Sequence, residues 1–208
     1  WACEARRYYF NIVGKYGAPV QTLLKKASAL DIAMICPLHG PVLKDNLGYY
    51  LGLYNTWSSY QPEDKGILIA YASIHGNTAK AAEKLAEILR EKGAEKVVVS
   101  DLAREDIAEV IEDAFRYDRM ILAAASYDAG VFPCMQDFLH HLQSKAYQNR
   151  KVGIVENGSW APTAARTMKS ILETMKNIEI VEPVVTIRSV MKESDLPAME
   201  QLADAMTK

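Results

Sequence analysis

The feature that most constrains this chain is an alternation that begins at Gly66 and continues to the last residues. Five apolar runs of strand length each lead into a segment of helical period. The runs are 66–72, 96–100, 119–125, 151–156 and 178–187, the last with Pro183 as a point of interruption. The helical segments are 77–92, 105–114, 131–146, 162–176 and 193–206. In the first of these, Ala81, Leu85 and Ile88 share a face, Ala82 and Leu89 stand beside it, and Gly93 ends it. The first strand shows no polar alternation, as expected for a strand covered on both faces. The pattern predicts an α/β fold with a doubly wound, five-stranded parallel sheet.

Ahead of the alternation stands Gln61-Pro62-Glu63-Asp64-Lys65-Gly66, a polar stretch with a Pro and a Gly. It reads as a linker and divides the chain into residues 1–61 and 62–208. The first part reads as helices over 4–16, 20–30 and 46–60, with one short strand over 32–36. One short strand cannot form a sheet alone, so this part reads as the tail end of a domain that begins elsewhere. The chain opens on Trp1 rather than Met, which points to a processed product or an excised piece of a longer protein.

Composition excludes several classes. A net charge of -2 gives no basic surplus for nucleic acid and no acidic tail. The longest apolar runs, such as 120–125, are far too short to span a bilayer, and no signal segment opens the chain. Cys3, Cys36 and Cys134 are widely spaced and odd in number, which suits reduced thiols in a cytoplasmic protein better than a disulfide framework.

Chemistry is expected where the strands end. The first strand runs into Ser73-Ile74-His75-Gly76-Asn77-Thr78 and then directly into a helix. In open α/β sheets ligands sit beyond the carboxyl ends of the strands, and a helix N-terminus offers free N–H groups to a phosphate. The loop has no Lys for a P-loop and only one Gly where a dinucleotide motif needs three. It suits a monoester held by neutral donors. The same residues also describe an ordinary Ser/Asn-capped helix, so the loop alone leaves both readings open. Two more loops fall on the same sheet edge: Ser126-Tyr127-Asp128-Ala129-Gly130 and Asn157-Gly158-Ser159-Trp160. Each is small and polar with one large aromatic, and two aromatics can sandwich a planar ring.

The order of these three loops resembles flavodoxin. The resemblance implies a flavodoxin-like sheet that binds FMN, with phosphate at residues 73–78 and the isoalloxazine ring against the other two loops. It implies that Ile74 and His75 are backbone donors, with His75 near the ring or the phosphate. Glu4-Ala5-Arg6-Arg7-Tyr8-Tyr9 and Met34-Ile35-Cys36-Pro37-Leu38-His39-Gly40-Pro41 in turn resemble the end of the metallo-β-lactamase-like domain of flavodiiron proteins, in which a flavodoxin domain follows. That resemblance covers essentially the whole chain. It implies that His39 is the last ligand of a diiron centre in the complete protein, whose other ligands have no counterpart here. It further implies oxygen or nitric oxide reduction by the complete protein, a rubredoxin-like electron donor, and a homodimer or higher oligomer. No residue of this chain is then catalytic, and FMN acts as a relay.

Other readings are weaker. An FMN-dependent NAD(P)H:quinone-type reductase is the alternative, but no nicotinamide motif is present. A receiver module needs carboxylates at the ends of the first and third strands, which read Tyr71-Ala72-Ser73 and Ala124-Ala125-Ser126. His140 and His141 have no ligand ladder around them, and His39 alone makes no metal site. Tyr8, Tyr9, Tyr49, Tyr50, Tyr54 and Trp57 read as core or interface.

Overall fold

The computed structural model describes residues 1–208. Five parallel strands form its sheet: β1 (Asp64–Ala72), β2 (Val97–Asp101), β3 (Tyr117–Tyr127), β5 (Arg150–Asn157) and β6 (Ile178–Ile187), in the order β2-β1-β3-β5-β6. A short strand β4 (Gly130–Val131) pairs antiparallel with the end of β3. The apolar runs become strands buried on both faces: Ile67 to Ala70 in β1 and Met120 to Ala124 in β3 are 1 % exposed or less. The order reverses between β1 and β3, which opens a crevice at their carboxyl ends.

Helices cover both faces. On one side α4 (Asn77–Glu91) and α8 (Leu196–Thr207) close a cluster of 18 buried residues. On the other, α5 (Ile107–Arg116), α6 (Pro133–Ser144) and α7 (Ala164–Leu172) close a larger cluster of 30. The larger cluster also contains Ala5, Tyr9, Phe10, Leu53 and Trp57 from the N-terminal part, so the two parts share one core. That part comprises α1 (Ala2–Tyr8), α2 (Gly17–Ala27) and α3 (Leu47–Ser58). Phe10 lies flat on Phe115, ring centroids 4.1 Å apart.

Polar contacts fix the junction. Arg6, itself buried, donates from Nε and Nη2 to both carboxylate oxygens of Glu63 at 2.7 and 2.6 Å. Trp57 Nε1 donates to the same carboxylate at 2.7 Å. Arg150, at the start of β5, donates to the carbonyls of Phe115, Tyr117 and Tyr60, and so ties the end of the N-terminal part to the sheet.

The sequence expectations differ from the structure in several places, among them the expected linker, whose Asp64, Lys65 and Gly66 begin β1. The helix expected over 4–16 is α1 followed by a wider π-turn over Tyr9–Val13 and a tighter 3₁₀ turn over Gly14–Tyr16. There Asn11 Nδ2 reaches two carbonyls, Arg7 O and Ala108 O, and Phe10 seats on Phe115. The strand expected over 32–36 is a single bridge between Ile35 and Leu43, because no further strand lies beside it. The helix expected from Val131 starts at Pro133, since Val131 belongs to β4. The helix expected to reach 176 ends at Leu172. The last strand runs through Pro183 and absorbs it as a register shift opposite Gly153 and Val155.

Candidate functional site

Four loops meet at the carboxyl edge of the sheet around a crevice of about 280 Å³. Ser73, Ile74, His75, Asn77 and Thr78 line it from the end of β1, and Ser126 from β3. Asn157, Gly158, Ser159 and Trp160 line it from β5, and Ser189 from β6.

The first loop is a tight turn. Gly76 N donates to Ser73 Oγ at 3.0 Å, and Gly76 takes φ +83°, the left-handed region that favours glycine. Nothing lies within 4 Å of the place a Cβ would occupy there, so the backbone faces open space. The helix α4 starts with no side-chain cap, and the amides of its first turn remain available. Thr78 is a largely buried residue that lines the crevice, and its hydroxyl makes no hydrogen bond within the protein. Donors grouped beside the positive end of a fifteen-residue helix suit an anion.

The helix α7 points the same way, but its N-terminus is already satisfied. Ser126 Oγ accepts from Thr163 N at 2.8 Å and from Ala164 N at 3.2 Å. Buried Glu156 accepts from Ala165 N at 2.9 Å with one oxygen and from Thr186 Oγ1 at 2.9 Å with the other. Of the two helices, α4 is therefore the one left open to a ligand.

The remaining residues shape the walls. Asn157 exchanges two hydrogen bonds with the backbone of Ser189, at 2.8 and 3.0 Å, and Ser159 Oγ lies 2.8 Å from Ser189 Oγ. Gly158 sits in a crowded spot: a Cβ there would come to 3.0 Å from both Pro162 Cα and Ser126 Oγ. Trp160 is 93 % exposed and stands free at the rim, with only its carbonyl held by Arg188 Nη1 at 3.3 Å.

The other expected residues take different places. Asp128 and Ala129 form the two-residue tip of the β3–β4 hairpin, both with positive φ (+45° and +56°). Gly130 O accepts from Thr163 Oγ1 at 2.8 Å, and the Tyr127 ring packs edge-on against Phe132. None of these four lines the crevice, although the hairpin adjoins it. Ser189 lines the crevice and was missed. Its signal was a small polar residue just beyond the last strand, the rule already used for the other three. His75 is the only ionisable side chain among the crevice's thirteen lining residues.

His39 lies away from this edge. Its ring stacks on Tyr8, centroids 5.2 Å apart, beside a larger apolar cavity of about 720 Å³ under the N-terminal helices. Nowhere in the chain do three His, Cys, Asp or Glu side chains gather as metal ligands, so these residues do not themselves fit a diiron centre. The cavity is larger than the crevice but lined mainly by apolar residues, whereas most residues lining the crevice at the sheet edge are polar.

Fold and crevice define an open, doubly wound α/β protein with an anion-ready pocket at its switch point. The family model for the flavodoxin domain matches residues 68–192, and the chain belongs to that family. Among curated relatives, an uncharacterized protein of Methanocaldococcus jannaschii is 25 % identical over 208 residues, covering 99 % of this chain and 52 % of that protein. The anaerobic nitric oxide reductase flavorubredoxin of Escherichia coli is 23 % identical over 173 residues, covering 82 % of this chain and 36 % of its own length. The chain thus spans about half the length of the first of these relatives and about a third of the second. Among solved structures, rubredoxin oxygen:oxidoreductase from Desulfovibrio gigas superposes with a TM-score of 0.91 at 20 % identity, over 99 % of this chain and 52 % of that one. The flavodiiron protein from Giardia intestinalis gives 0.85 at 20 % identity, over 97 % and 50 %. These likenesses are of fold, and they extend through the N-terminal helices. No helix of the chain is long and apolar enough to cross a membrane.

Proposed function

We propose that this chain binds FMN and relays electrons, as the flavin portion of a flavodiiron-type oxygen or nitric oxide reductase. One observation carries the reading: the uncapped start of α4, with Ser73, Asn77 and Thr78 lining the crevice beside it, at the switch point of the sheet. A phosphate monoester accepts from N–H and O–H donors together, which suits this set of donors. Asn77 and Thr78 would hold it through backbone amides, and Ser73 and Thr78 through hydroxyls. Trp160, free at the rim, offers a face to the isoalloxazine ring. Bound FMN supplies the electron-carrying chemistry. The protein binds and orients it, and Ser126, Glu156 and Asn157 hold the surrounding loops in place. No carboxylate, lysine, arginine or cysteine lines the crevice, which favours a carrier over an enzyme acting on its own substrate.

In this reading residues 1–61 belong to a metallo-β-lactamase-like domain and residues 62–208 to the flavodoxin domain. His39 serves a diiron centre whose remaining ligands lie outside this chain, a rubredoxin-like protein donates the electrons, and the parent works as a cytoplasmic homodimer or higher oligomer. The test is mass spectrometry of the cofactor released from purified protein. FMN is expected as the main species, and recovery of FAD, or no uptake of added FMN, overturns the proposal.

A further inference from the structure

We infer that His75 is a proton-sensitive positioning residue of this crevice, whose imidazolium supplies positive charge to the phosphate end of FMN. The inference rests on the FMN reading above.

Every other lining side chain is neutral at all ordinary pH values. A phosphate held there meets hydroxyls, amides and the start of α4, whose dipole amounts to about half a positive charge. A dianion is left undercompensated by such a set. His75 lies in the same turn, between Ser73 and Gly76, where the backbone faces open space. It is exposed, and its ring makes no hydrogen bond within the protein, so it is free to turn toward a ligand. Imidazole is the side chain whose charge ordinarily changes between about pH 5 and 8.

The charged residues on the surrounding elements line no part of the crevice. Lys80 and Glu83 lie on α4, and Asp128 lies at the hairpin tip. Asp101 pairs with Arg104 and takes up Glu105 through its backbone amide. Arg188 donates to Trp160 O, and Lys192 N bonds Asp195. Protonation of His75 is thus the one change by which the crevice itself gains a charge. The part of FMN affinity that depends on His75 should rise as pH falls.

The experiment measures dissociation constants of FMN and of riboflavin, which lacks the phosphate, between about pH 5.5 and about pH 8. The proteins are wild type, His75→Gln and His75→Lys. The phosphate of FMN also titrates near pH 6, and dividing wild-type affinity by that of His75→Gln removes this common factor. That ratio should be about tenfold at the acid end, the effect of one unit of pKa coupling, and near one at the alkaline end. For riboflavin it should stay flat. His75→Lys should hold the higher FMN affinity across the range. A flat ratio for FMN overturns the inference while leaving the FMN reading intact, and an equal rise for riboflavin also overturns it. If neither flavin binds at any pH, the FMN reading falls and this inference with it.

Discussion

Arg6 grips Glu63 through two parallel hydrogen bonds at 2.6 and 2.7 Å, with the guanidinium side chain 3 % and the carboxylate side chain 14 % exposed. Burial alone would push the Glu63 carboxyl up, but Arg6 and Trp57 Nε1–H hold it below the usual carboxylate range. A depressed folded-state value means stability that is present above the unfolded value and lost as pH falls through the folded one. Glu63→Gln should therefore cost about 3 kcal/mol near neutral pH, because it leaves a buried guanidinium short of its partner. Measured by urea denaturation, the deficit should shrink as the pH drops below about 4. A pH-independent deficit would mean that the charge is not what matters. Glu112, which faces Arg6 at 3.4 Å, contributes with the opposite slope: burial pushes its carboxyl up, so its share is lost as pH rises.

Ser126 separates fold from binding. Its hydroxyl serves the N-terminus of α7 rather than the open crevice. Ser126→Ala should cost about 1 kcal/mol of stability, the usual effect of a lost helix cap. FMN affinity should fall less than it does for a change on the first loop. Denaturation and flavin titration on the same variant decide between these roles.

Thr78→Val keeps the shape of the side chain and removes the hydroxyl. Since that hydroxyl has no partner in the protein, stability should hold or rise slightly. FMN should bind more weakly by about 1.5–3 kcal/mol, the range for a hydrogen bond to a charged group, while riboflavin should be unaffected. Equal loss for both flavins would move the phosphate elsewhere.

Trp160→Ala tests the rim. At 93 % exposure the indole contributes little to folding, so the melting temperature should not move. Loss of a stacked aromatic should weaken FMN by about 1–3 kcal/mol and alter its fluorescence. An unchanged affinity and spectrum would make Trp160 a plain surface residue.

Iron tests the other end. With His39 stacked on Tyr8 and no three-ligand cluster, this chain by itself should retain no stoichiometric iron after desalting and should consume no nitric oxide. Metal analysis and an anaerobic consumption assay check this. Two tightly held irons per chain would contradict it.

The strands were legible because burial on both faces leaves an unbroken apolar run, as Ile67 to Ala70 shows. The first loop was legible because a turn into a helix needs a small set of residue types, here Ser73, Gly76 and Thr78. The hairpin at Asp128 and Ala129 was not, since neither is the glycine that such a turn favours. Pro133 did mark the true helix start, but Val131 and Phe132 before it fit the helical period as well. The roles of Ser126 and Glu156 depend on α7 being brought beside β3 and β5, a long-range fact that no local pattern encodes. The break-up of the first helix has the same origin, in a ring that must seat on Phe115.

The stacking of Phe10 on Phe115 has a mechanical consequence. A border is expected from the sequence at residues 61 and 62, but aromatic rings, the Arg6–Glu63 grip and Arg150 weld the two sides together. A close-packed core of this kind transmits displacement instead of absorbing it. The span from the crevice to any partner that meets the face of α1, α2 and α3 is therefore set by side-chain packing, and the short connecting segment acts as a seam and not as a hinge.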